Sequence, residues 1–226
     1  MSRAAVTRCA GPIGAHAIEL ADTRDKPLDA HRGIYQTVDL GLTSGALGAS
    51  ASFVRFLGQM AYYRPVYSSL VWANDVRLGL VKAFAGSRVP LSQLFFSGGA
   101  SSLRGFPING AGPQRPVPVC SNPNDPSTCT LISVPVGGNQ LFILNSELRF
   151  PTHIKKGLGA ALFYDGGNVY DRIGFSRFFK DYSHNIGFGL RYDTPVGPIR
   201  IDVGRNLSPL PGVKATQLYI SLGQAF

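Results

Sequence analysis

His184-Asn185-Ile186-Gly187-Phe188-Gly189-Leu190-Arg191-Tyr192-Asp193 alternates strictly between two kinds of residue. Even positions carry His184, Ile186, Phe188, Leu190 and Tyr192, while odd positions carry asparagine, glycine, arginine and aspartate. Neighbouring side chains on a strand point to opposite faces, so this stretch is a β-strand with one apolar and one polar side. The pattern continues downstream: Ile199, Ile201 and Val203 alternate with Arg200, Asp202 and Gly204. From Thr216 onward, Leu218, Ile220, Leu222 and Phe226 share a face opposite Gln217, Tyr219, Ser221, Gly223 and Ala225. Extending the parity count upstream predicts nine strands, near 15–23, 35–43, 50–64, 69–84, 139–150, 158–169, 184–194, 198–206 and 216–226. No segment shows a 3.6-residue period, so the chain reads as all-β and antiparallel.

A soluble sandwich also alternates, and the placement of charge separates the two cases. One face carries full charges in mid-strand, namely Glu19, Asp39, Arg55, Asp75, Arg77, Glu147, Arg149, Asp165, Arg191 and Asp202. The other is Leu, Ile, Val and Phe, with Tyr62, Trp72 and Tyr192 near strand ends. Apolar outside, charged inside and aromatic at the rims is the pattern of an outer-membrane β-barrel. Such a sheet must close, because an open edge leaves backbone groups unsatisfied in hydrocarbon.

Composition agrees. The 226 residues include 27 glycines and only 15% charged side chains, and no run approaches the roughly 18 apolar residues of a spanning helix. The net charge of +9 is scattered, with Lys155-Lys156 the only lysine pair, so the basic footprint of a nucleic-acid binder is missing. Outer-membrane lipid is the better partner for a basic barrel. His16, His31, His153 and His184 form no metal pair, and no nucleophile triad or phosphate loop is present. No enzyme activity, cofactor or metal is therefore expected.

The segment 1–14 lacks an apolar core long enough for a signal peptide and is expected to be irregular, ahead of a partial barrel over 15–226. The one long interruption is the glycine- and proline-rich loop 85–138. A loop of that length has a function or is disordered. Cys120 and Cys129 lie within it and have two readings: inert thiols, or a disulfide closing a short hairpin in an oxidising compartment.

The loop also carries Phe95-Phe96-Ser97-Gly98-Gly99, then Leu103-Arg104-Gly105-Phe106, then Gly110-Ala111-Gly112-Pro113. Gly137-Gly138-Asn139 and Ser146-Glu147-Leu148-Arg149-Phe150-Pro151 follow it, then Phe163-Tyr164-Asp165-Gly166-Gly167-Asn168-Val169-Tyr170. Gly187-Phe188-Gly189-Leu190-Arg191-Tyr192 and Thr194-Pro195-Val196-Gly197-Pro198 complete the series. In order and spacing these motifs resemble the C-terminal barrel of the bacterial surface antigen superfamily of outer-membrane assembly factors, the BamA/TamA-like proteins. The resemblance covers about residues 15–226. The family's barrel has sixteen strands and is preceded by POTRA repeats, so the chain is expected to be part of a longer protein, or else a short variant.

The resemblance implies that the loop tip folds into the lumen, where Arg104 meets acidic wall residues. Glu147 and Asp165 hold those positions, and parity places both on the polar face. Gly105 is expected to allow a tight turn and Phe106 to wedge against the wall. Leu218, Ile220, Leu222 and Phe226 would belong to the closing strand, at a seam that pairs with client strands. The implied partners are unfolded outer-membrane proteins, or a secreted substrate, together with accessory assembly proteins. The function expected is outer-membrane protein assembly. Two alternatives stand beside it: a two-partner-type secretion channel and a passive barrel anchor.

Overall fold

The computed structural model describes residues 3–11, 14–67, 69–122, 125–152, 157–176, 181–195, 197–209 and 214–226. Ten strands form one antiparallel sheet: β1 (Arg3–Gly11), β2 (Gly14–Asp22), β3 (Gly33–Thr43), β4 (Phe53–Tyr67), β5 (Leu70–Ala83), β8 (Gln140–Pro151), β9 (Leu158–Tyr170), β10 (Ser183–Tyr192), β11 (Ile199–Asn206) and β12 (Thr216–Leu222). Each pairs with its neighbour in the chain, except that the long loop separates β5 from β8. Within that loop, β6 (Gln114–Cys120) and β7 (Cys129–Pro135) make a separate two-stranded ribbon.

The faces follow the register. Leu162, Ile186, Phe188, Leu190, Ile201, Leu218 and Ile220 all point outward and stay exposed, with Leu162 at 54% and Ile220 at 72%. An exposed apolar face of this extent suits hydrocarbon rather than water. On the inward face, Asp75, Asn145, Asp165, Asn185 and Asn206 line up strand by strand into one polar row across β5, β8, β9, β10 and β11. The adjacent row reads Ala73, Glu147, Phe163, Gly187 and Gly204.

The core lies inside this sheet. The wall residues Phe53, Val81, Leu141, Ile143 and Val169 pack against Phe95, Leu103, Phe106 and Ala111 of the loop. The lumen is thus filled by the chain's own loop.

Several expectations are corrected. The segment 1–14 is not irregular throughout: residues 3–11 form β1, in register with β2 from Arg3 opposite Asp22 to Gly11 opposite Gly14. Backbone pairing supplies this strand, which has little apolar alternation to reveal it. Among the described residues the main sheet therefore has ten strands rather than nine. Glu19 pairs with Val38 and shares its outward face, while Ile18 sits beside Asp39 on the inward one. Alternation says only that neighbours differ, and register decides which side is inner.

The last strand is also shorter than expected. β12 ends at Leu222, and Gly223, with φ +83, turns the chain inward. The Gly223 N–H donates to the Pro198 carbonyl at 2.8 Å, and Gln224 Nε2 donates to Asp29 Oδ1 at 2.8 Å. Phe226 stacks on Tyr63 with ring centroids 6.3 Å apart, and the Arg149 guanidinium carbon lies 5.4 Å from its ring centre. Phe226 thus leaves the face of Leu218, Ile220 and Leu222 to cap a second, smaller cluster around Ala30, Ala61, Tyr63 and Ala73. Gln224, polar on an otherwise apolar face, is the sequence signal for this turn.

If the outward face meets lipid, Leu162→Arg should destabilise the barrel by about 2–4 kcal/mol, the cost of a cation near the bilayer midplane. Urea titration of the protein in lipid vesicles measures this, and a change near zero would contradict the face assignment.

Candidate functional site

The loop descends as a tied-off unit. Phe95 and Gly138 exchange two backbone hydrogen bonds, of 2.9 and 3.0 Å, at its base, and the Ala111 N–H donates to the Ser97 carbonyl at 3.0 Å further in. Gly98 and Gly99 adopt φ values of +112 and +110, which glycine alone tolerates easily. The Phe106 N–H then donates to the Leu103 carbonyl at 3.0 Å, so residues 103–106 form a closed turn. Leu103, Arg104, Gly105 and Phe106 are all buried, with Arg104 and Leu103 at 0% exposure.

At the tip, Arg104 meets the two acidic residues that parity placed on the inward face. Its Nε and Nη2 donate to Asp165 Oδ2 and Oδ1 at 2.8 and 2.7 Å, a two-pronged contact that lysine cannot make. The Arg104 backbone N–H adds a third bond to Asp165 Oδ2 at 3.1 Å. Nη1 donates to Glu147 Oε2 at 2.6 Å and lies 3.8 Å from Asp202 Oδ2. Below it, the Phe163 ring stacks against the guanidinium, 3.4 Å from Cζ to ring centre. Burial disfavours the charge, but the Asp165, Glu147 and Asp202 carboxylates outweigh it and hold the Arg104 pKa above the ordinary arginine value.

Sequence reasoning missed the shell around this contact. Arg149 Nε and Arg191 Nη2 both donate to Glu147 Oε1, at 2.9 and 3.2 Å. Arg191 Nη1 and Arg200 Nη1 bind the two oxygens of Asp202 at 2.6 and 3.1 Å. Asn145 Nδ2 bridges Asp165 Oδ1 and the Ser102 carbonyl at 2.7 and 2.6 Å, and Arg200 Nη2 reaches the Ala100 carbonyl at 2.8 Å. Four arginines and three carboxylates thus form one buried network, and the wall holds the loop through backbone as well as side-chain atoms. Parity assigns Arg149, Arg191 and Asp202 to the inward face, but it cannot tell which inward charges touch each other.

Glycines make the space. Gly105 lies in this closed turn as expected, but without a left-handed φ. Its role is close approach: an added Cβ would stand 2.1 Å from Asn185 Oδ1 and 2.7 Å from Asn206 N. Opposite it, a Cβ on Gly204 would stand 2.3 Å from the Arg104 carbonyl oxygen, and one on Gly187 would strike the Phe163 ring at 2.3 Å. These glycines on the polar face form the floor on which the loop rests.

The remaining candidates lie elsewhere. Cys120 and Cys129 are joined by a disulfide at the far end of the β6–β7 ribbon, where they face each other in register. Leu218, Ile220 and Leu222 point outward on β12, while Phe226 lies inside. Among the described residues, no group of three or more His, Cys, Asp or Glu side chains is arranged to hold a metal ion.

Comparison with known proteins gives a consistent result. The model of the Omp85 superfamily domain matches residues 20–226. The outer membrane protein assembly factor BamA of Nitratidesulfovibrio vulgaris is 24% identical over 191 residues, covering 84% of this chain and 22% of that protein. BamA of Neorickettsia risticii is 24% identical over 195 residues, or 84% and 24% of the two chains. The SAM50-like protein CG7639 of Drosophila melanogaster is 33% identical over 94 residues, 41% of this chain and 20% of its own. The chain therefore spans between a fifth and a quarter of the length of these relatives. The crystal structure of Haemophilus ducreyi BamA lacking POTRA domains 1-3 superposes with a TM-score of 0.72 at 18% identity, over 91% of this chain and 41% of that one.

Two variants test the site. Arg104→Ala leaves Glu147 and Asp165 buried without their central cation and should cost about 3–5 kcal/mol of stability, with Arg104→Lys recovering only part of it. Urea unfolding followed by Trp72 fluorescence measures both, and equal stability of the alanine variant and the parent would refute the network. Gly105→Ala should lift the loop from Asn206 and cost about 1–3 kcal/mol. Limited proteolysis within 97–111 should then become faster, whereas an unchanged digestion rate would count against close packing.

Proposed function

The chain belongs to the Omp85 superfamily, and on that premise we propose that it forms the C-terminal part of the barrel of an outer-membrane protein assembly factor. Its setting is the bacterial outer membrane. Lipid contacts the outward apolar face. The clients are unfolded outer-membrane proteins, and accessory assembly proteins act alongside. The work is non-covalent: an exposed strand edge pairs with a client strand, a form of β-augmentation, so that the client does not insert with its backbone bonds unmade.

One observation carries this reading. The lumen loop is anchored by a network of seven buried charged groups that spans β8, β9, β10 and β11, the strands beside the edge strand β12. A wall that must keep its shape while its edge exchanges partners needs such an internal brace. A two-partner secretion channel would have to withdraw the loop as a plug, exposing several paired charges in each cycle. A passive anchor has no use for a brace that costs so much desolvation.

The protein purified from its native membrane and reconstituted into vesicles should speed the folding of a urea-unfolded client barrel, read as the appearance of its heat-modifiable form. Arg104→Ala should remove most of that acceleration. A client folding rate equal to that in empty vesicles would reject the assembly reading.

A further inference from the structure

We infer that Tyr219 is a positioning residue that couples the lumen loop to the edge strand β12, an inference that rests on the assembly reading for its use but not for its geometry. Among the described residues β12 pairs on one side only, with β11, from Ile199 opposite Leu222 to Arg205 opposite Thr216. Its outward side chains Leu218, Ile220 and Leu222 are apolar and exposed. Inward it presents Gln217, Tyr219 and Ser221. Gln217 Nε2 bonds back to the nearby Lys214 carbonyl at 3.0 Å, and the buried Ser221 hydroxyl has no hydrogen-bond partner among the described residues. The Tyr219 hydroxyl instead donates to the Phe106 carbonyl at 2.5 Å, across 113 residues of sequence.

The acceptor is well placed for coupling. Phe106 closes the turn that begins at Leu103 and contains Arg104, and its own ring is 2% exposed within the core. The carbonyl that receives Tyr219 therefore sits on the turn that Arg104 fastens to Asp165 and Glu147. Asp202, the register partner of Tyr219 on β11, belongs to the same network. The edge strand is thus tied to the brace by one side-chain bond at its middle, and the Phe226 tail tethers its end. If β12 leaves β11, the Tyr219 bond breaks. If the loop lifts, the bond is lost as well. The seated loop therefore holds the edge strand through this one bond, which an opening of the seam must break while the loop stays in place, with Tyr219 as the link.

Tyr219→Phe removes only the hydroxyl and keeps the ring. Hydrogen–deuterium exchange of the native protein in vesicles, read on peptides covering 214–226, should show β12 exchanging about fivefold faster in Tyr219→Phe, the effect of one net hydrogen bond. Peptides from β4 and β5 should not change. Adding Tyr219→Phe to Arg104→Ala should give no further increase, because the acceptor has already been released. Unchanged β12 exchange in Tyr219→Phe, or an equal further increase on the Arg104→Ala background, would overturn the coupling. If β12 exchange responds as expected while assisted client folding is absent, the coupling stands and the assembly reading falls.

Discussion

A guanidinium with no exposure to water needs carboxylates around it, and the rest of this structure follows from where they are supplied. Arg104 lies on a loop, and its partners come from three strands: Glu147 on β8, Asp165 on β9 and Asp202 on β11. The loop cannot bind them unless those strands stand at fixed spacing. A buried ion cluster of this kind is weak evidence of net stability, since apolar residues of equal volume often do as well. What it supplies here is position: the fork fits two oxygens of Asp165 in one orientation only, and Leu103 and Phe106 then pack on either side of it.

The register makes the cradle. The row of Asp75, Asn145, Asp165, Asn185 and Asn206 gives the wall a polar band, and the next row, with Phe163 between Glu147 and two glycines, gives it a hollow. Strand glycines usually weaken a sheet. Gly187 and Gly204 are where the Phe163 ring and the Arg104 backbone come closest, so their missing side chains leave the volume that the loop occupies. A one-residue slip of any of these strands would turn its polar residues outward into lipid.

Much of this was legible in the sequence. Period-two alternation located the strands of the sheet from β2 to β12, and the charged face identified the lumen. Glu147 and Asp165 could be singled out because they stand on that face within motifs that resemble a known family. The unread parts share a physical cause. β1 has a weak apolar pattern and is held by backbone pairing, which composition does not record. Arg191, Arg200, Asn145 and Tyr219 each reach a residue 43 to 113 positions away, and parity gives a face without giving a neighbour. Glu19 went to the wrong face for the same reason. Phe226 kept the parity of the lipid face, but a glycine at 223 reverses the chain before that parity can apply.

The edge strand connects the site to the proposed work. β12 is bonded along one side to β11, and its inner contacts lead to the loop through Tyr219 and to the opposite wall through the tail. Everything depends on the claim that Arg104 and the wall act as one unit. A double-mutant cycle on Arg104→Met and Glu147→Met, read by urea unfolding in vesicles, measures that directly. Strong non-additivity is expected: the pair loses less than the sum of the two single variants, and the coupling exceeds about 1 kcal/mol. Effects that add to within about 0.5 kcal/mol would mean the two side chains do not depend on each other, and the brace would be contradicted.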